Sequence, residues 1–169
     1  MAKKLRRPVS AFTIPELLIA LAITAILLAA VAVAFNASVI NYRENEEIFK
    51  TINSARQAMF RITSQLRTAR QVDPDSPDNE CALITADGDD ITYRYNSADN
   101  KLYLVTNNDL SDSDYVLCEN VTAMTFDTKD RVTEGSITYV KSVQISMTVS
   151  SGDFARTVSA AAVVRRNLK

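Results

Sequence analysis

The chain has 169 residues, with 19 lysines and arginines against 20 aspartates and glutamates, no histidine and only three glycines. A near-neutral charge offers no basic surface for nucleic acid. Without histidine there is no Ser–His or Cys–His pair, and no phosphate-cradling glycine motif is present, so an enzyme is not expected.

The chain begins with a basic stub. Lys3, Lys4, Arg6 and Arg7 precede a long apolar run, and no acid stands before Glu16. From Leu17 to Phe35 the only residue that is not apolar is Thr24. As a helix, Ile14 to Phe35 would reach roughly 33 Å, enough to cross a bilayer core of about 30 Å. That is too long for the apolar core of a removable secretory signal. A buried soluble helix is the alternative, but a run of this length reads as a transmembrane segment. The positive cluster is expected to stay cytoplasmic, which puts the residues after Phe35 on the outer side of the membrane. Within the span, Ala25 and Ala29, and Ala30 and Ala34, are spaced so that helices could approach closely, although alanine is also simply a good helix former.

Beyond the span, Ile48, Ile52, Ala55, Met59, Ile62, Leu66 and Ala69 recur at alternating spacings of four and three. That spacing predicts a helix with one apolar stripe. Arg43, Glu44, Glu47, Lys50, Arg56, Arg61, Arg67 and Arg70 occupy the other face. No Pro or Gly lies between Phe35 and Arg70, so one continuous helix is predicted from about Thr13 to Arg70. It should end at the turn-rich "QVDPDSPDNE".

The remainder reads as strands. Short β-branched and aromatic runs stand at 81–85, 91–96, 101–106, 115–119 and 121–127, with turn signals at 87–90 and 97–100. The alternation of Val143, Ile145, Met147 and Val149 predicts a strand over 140–150. The turn "SSGD" should return it as a second strand over 154–166. The helical stripe and the apolar face of the sheet can bury each other, which predicts an α+β fold with a long helix across an antiparallel sheet. The expected organisation is a leader at 1–11, a transmembrane half-helix at 12–35, an amphipathic half at 36–72 and an exported β-rich domain at 73–169.

Cys81 and Cys118 both fall in the part expected to be exported. In an oxidising compartment a disulfide between them would close a long loop; the alternative is two separate buried thiols. Two isolated thiols without histidine do not suggest a metal site.

The start of the apolar run carries two unusual residues, Pro15 and Glu16. If the chain is cut between Ala11 and Phe12, Pro15 falls among the first four helical residues, whose N–H groups have no intrahelical partner, and it forfeits nothing. Glu16 then lies one turn after Phe12, near the positive end of the helix dipole. A carboxylate in hydrocarbon needs a partner, and the nearest cation is the new α-amino group of Phe12, on its own chain or on a neighbour.

A basic leader, a small residue and then "FTIPELLIALAITAILLAAVAVAF" resembles the class III signal of type IV pilins and type II secretion pseudopilins. Phe12, Thr13, Glu16 and Leu17 match the family pattern Phe-Thr-Leu-Ile-Glu-Leu. Ala11 stands where the family usually has glycine, and Pro15 replaces a bulky apolar residue. The segments 118–127 and 143–167 are similar to the sheet region of minor pilins and minor pseudopilins. The resemblance implies cleavage after Ala11, N-methylation of Phe12 by a membrane prepilin peptidase, and a filament-assembly role for Glu16. It also implies an inner-membrane assembly platform, other pilins or pseudopilins and membrane lipid as partners.

The resemblance brings calcium into view, because Asp87, Asp89, Asp90, Asp109, Asp112 and Asp114 cluster in two turns. The spacing is not that of an EF-hand, however, and no cofactor is expected. The reading from a different class is an uncleaved, single-span, membrane-anchored binding module, which would have no special need for Glu16.

Overall fold

The computed structural model describes residues 12–107, 114–135 and 137–165. The chain divides into two units, Met1–Glu44 and Asn45–Lys169, and a helix, α1 (Ile14–Thr68), passes through both. With no Gly or Pro after Pro15 to stop it, α1 propagates residue by residue across the change from apolar to amphipathic sequence.

In the first unit the apolar run is not covered by the chain. The large hydrophobic residues from Leu17 to Phe35 expose between 54% and 72% of their surface. Thr24, the one polar residue among them, turns its hydroxyl back to donate to the Ala20 carbonyl at 2.7 Å. That satisfies the hydroxyl within the helix itself.

In the second unit the same helix behaves differently. Ala55, Ala58, Met59, Ile62 and Leu66 are buried, and Ile48 and Ile52 are half-buried. This is the stripe that the spacing predicts, with Ala58 added. After the helix come β1 (Gln71–Val72), β2 (Glu80–Ile84), β3 (Asp90–Asn96), β4 (Lys101–Thr106) and β5 (Tyr115–Cys118). They form one antiparallel sheet in chain order, β1-β2-β3-β4-β5. A second antiparallel sheet follows, β6 (Val121–Glu134), β7 (Ile137–Ser151) and β8 (Phe154–Val163), again in chain order.

The strands are thus shared between two sheets rather than gathered into one. The break falls at Asn120, whose φ of 60° lies in the left-handed region that asparagine tolerates better than most residues. The junction is tied on both sides: Val121 N donates to Asn100 O at 2.9 Å, and Ser150 N donates to Asn120 O at 3.0 Å. β6 and β7 also run well past the segments predicted for them, through 128–134 and 137–139.

The closing hairpin is as predicted. Ser151 faces Phe154 across a two-residue loop, and Gly152 takes a φ of 57° at the first loop position, which glycine occupies without a side-chain clash. Val143, Ile145, Met147 and Val149 are buried while Gln144, Ser146, Thr148 and Ser150 lie on the other face.

One core joins the three layers. Ile62 and Leu66 from the helix, Tyr93 and Leu102 from the first sheet, and Phe126, Val143, Ile145 and Met147 from the second are all essentially inaccessible. Tyr93 carries a polar tip into this core, and its hydroxyl donates to Oε1 of Gln65 on the helix. This helix against antiparallel sheets is the α+β arrangement expected from the sequence.

Candidate processing and assembly site

The site is built on the first turn of α1. Thr13 is the cap residue, and the first intrahelical bond runs from Leu17 N to Thr13 O at 3.1 Å. Pro15 is the second helical residue, where the missing N–H has no partner to lose. Glu16 is the third. Its Oε2 accepts from Thr13 N at 3.3 Å and from the Thr13 hydroxyl at 3.2 Å.

An acid three residues after a Ser or Thr cap, reaching back to the cap's own N–H, is one half of a capping box. Glu16 is also the acidic residue in the first turn, where the helix dipole favours negative charge. Both bonds land on one oxygen, Oε2.

Thr13 is the residue that sequence reasoning missed here. The expected partner of Glu16 is the amine that a cut would create at Phe12; in the uncut chain the carboxylate accepts from Thr13. The Thr-x-x-Glu spacing of "TIPE" carries that signal. Phe12, immediately before the cap, is 77% exposed. Ala11, the other residue of the expected cleavage site, and the basic stub lie outside the described residues. Ala25, Ala29, Ala30 and Ala34 are all exposed along the span. By length and composition α1 is able to cross a membrane, and none of its most apolar stretch is covered by the chain.

The cysteines require a correction. Both are free and buried rather than joined. Cys81 lies on β2 and Cys118 on β5, with β3 and β4 between them in the sheet. Three strand spacings amount to about 14 Å, whereas disulfide-linked Cα atoms stand within about 7 Å. Burial pushes the Cys81 thiol up to about 12, with the Asp73 charge adding to the effect, and burial also raises Cys118. Both are therefore protonated and poorly nucleophilic at neutral pH.

The acidic turns are engaged in other ways. Asp90 Oδ1 accepts from Asn107 Nδ2 at 2.8 Å, Asp114 pairs with Arg94, and Asp89 N donates to the Thr85 hydroxyl at 3.0 Å. Asp109 and Asp112 lie outside the described residues. Among the described residues no group of three or more His, Cys, Asp or Glu side chains converges as a metal site would require.

Residues 6–32 match the model of the prokaryotic N-terminal methylation motif. The match takes in Arg6, Arg7, Ala11, Phe12, Glu16 and the apolar run as far as Ala32. No curated protein and no solved structure matches the chain.

Proposed function

We propose that this type IV pilin-like protein is a filament subunit, a minor pilin or minor pseudopilin, made as a precursor and assembled into a pilus or type II secretion pseudopilus. In this reading the stub 1–11 stays cytoplasmic and the span sits in the inner membrane. A prepilin peptidase then cuts between Ala11 and Phe12 and methylates the Phe12 amine. An inner-membrane assembly platform extracts the trimmed subunit and stacks it on other pilins or pseudopilins.

Glu16 is the residue on which stacking turns. A carboxylate left unpaired in hydrocarbon is costly. The Thr13 bonds offset part of that cost while the subunit is alone in lipid. The carboxylate then takes the Phe12 amine exposed by cleavage, from its own chain or from a neighbour. Pairing with a neighbour fixes the axial stagger between subunits. The observation that carries the reading is the coincidence of the methylation-motif match with an acid placed at the first turn of an uncovered apolar helix. The irregular exported domain and the alanine at the cleavage site favour a minor subunit over a major one.

Glu16→Ala tests the role directly. Membrane insertion and leader removal should be unchanged, while the amount recovered in sheared fibres should fall severalfold. Wild-type recovery of the mutant in fibres would refute the assembly role. Mass spectrometry of the mature N-terminus tests the processing step, and an intact leader at full maturity would favour a permanently anchored binding module instead.

A further inference from the structure

Only Phe12 lies between the Thr13 cap and the Ala11–Phe12 bond. Alanine has the highest helix propensity of any residue, so nothing in position 11 itself resists being drawn into α1. An established helix extends one residue at a time at little cost. On propensity alone α1 would run upstream through Ala11 as far as Pro8, itself a favoured first helical residue.

Pro15 forbids this extension. A helix capped at Ala11 needs a hydrogen bond from the nitrogen of residue 15 to the Ala11 carbonyl. Proline has no hydrogen to give, and its ring collides with the carbonyl four residues earlier. The earliest cap that Pro15 permits is therefore Phe12, and the one used is Thr13, secured by its bonds to Glu16. Glycine at position 11 would weaken an upstream helix by itself. Alanine does not, so the stop falls to Pro15.

We infer that Pro15 is a positioning residue for leader removal: it holds the start of α1 downstream of the Ala11–Phe12 bond, so that the peptidase meets that bond ahead of α1 and not within it. The inference rests on the reading that this bond is cut. Proteases take segments without regular structure, whose backbone groups are free to pair with the enzyme. In the cut, water adds its hydroxyl to the Ala11 carbonyl carbon and the carbon–nitrogen bond breaks. The water's other proton goes to the Phe12 nitrogen, which leaves as a free amine. Pro15 takes no part in these bond changes and acts only on the shape of the chain presented.

The test uses the full-length precursor in bacterial membranes with a prepilin peptidase, followed by pulse-chase and N-terminal mass spectrometry. Membrane fractionation establishes that each variant is inserted. Pro15→Leu should lose its leader roughly tenfold more slowly than wild type. Ala11→Gly should speed the Pro15→Leu precursor far more than it speeds wild type, a coupling that a double-mutant cycle reads out. Equal trimming of Pro15→Leu and wild type overturns the inference. Equal acceleration of both backgrounds by Ala11→Gly also overturns it, because leucine would then be harming recognition in some other way. A wild-type precursor that keeps its leader overturns the underlying reading of the bond, and this inference with it.

Discussion

The two parts of α1 present the same backbone to different surroundings. From Leu17 to Phe35 the helix is apolar on every side and its own chain covers none of it. From Asn45 onward it is apolar along one stripe, and Ala55, Ile62 and Leu66 are completely buried. The comparison shows that hydrophobicity alone does not identify a core. A helix greasy all round has to be covered by lipid or by other chains, whereas a striped one is covered by its own domain.

The sharpest test of that contrast is Ile62→Ala. Ile62 is 0% exposed where the helix meets the sheets, and its truncation should destabilise the second unit by about 2–5 kcal/mol in a denaturant melt. Alkali should come next. The folded domain keeps protons on Cys81 and Tyr93, both pushed up to about 12 chiefly by burial, whereas an unfolded chain loses them near 9 and 10. Stability is then fully present below about pH 9 and is lost as pH rises toward 12, because the unfolded state binds fewer protons across that window. Melting curves between pH 7 and pH 11 read this directly, and an unchanged midpoint would contradict the burial of these groups. Tyr93→Phe removes the hydroxyl that meets Gln65 and should cost about 1 kcal/mol. Leu27→Ala is the smallest expected effect. Leu27 is 60% exposed in the first unit, and the second unit's melt should not move. A shift comparable to that of Ile62→Ala would break the contrast between the two parts.

Features encoded by periodicity were legible in the sequence. The stripe of α1 and the alternation of β7 repeat over many residues, and the turn before Phe154 contains the glycine that its backbone needs. The extension of β6 and β7 was not legible, because 128–134 is Thr, Lys, Asp, Arg, Val, Thr and Glu, with Val132 itself exposed. There the strands are held by pairing across the hairpin, as where the Thr133 and Thr138 hydroxyls meet at 3.3 Å, rather than by a buried face. β1 is two residues long and gives no pattern to read. The division into two sheets depends on the backbone at Asn120, and strand order does not appear in local sequence at all. That is why a pairing of Cys81 with Cys118 looked reasonable before β3 and β4 were found between them. At the candidate site, the acid and the proline stood out by their chemistry, while Thr13 passed as an ordinary member of the motif.

The second sheet is not equally wide along its length. β8 accompanies β7 from Ser151 back to Ser142, and the last link on that side is Val164 N to Lys141 O at 2.9 Å. Beyond it, Ile137 to Tyr139 continue with β6 as their sheet neighbour, as a two-stranded ribbon. Ribbons of that width hold together weakly. Amide protons at this end should therefore trade with solvent long before those at Ile145 and Met147. The second unit then has a fixed middle and a tip that opens more readily, without disturbing the packing beneath it.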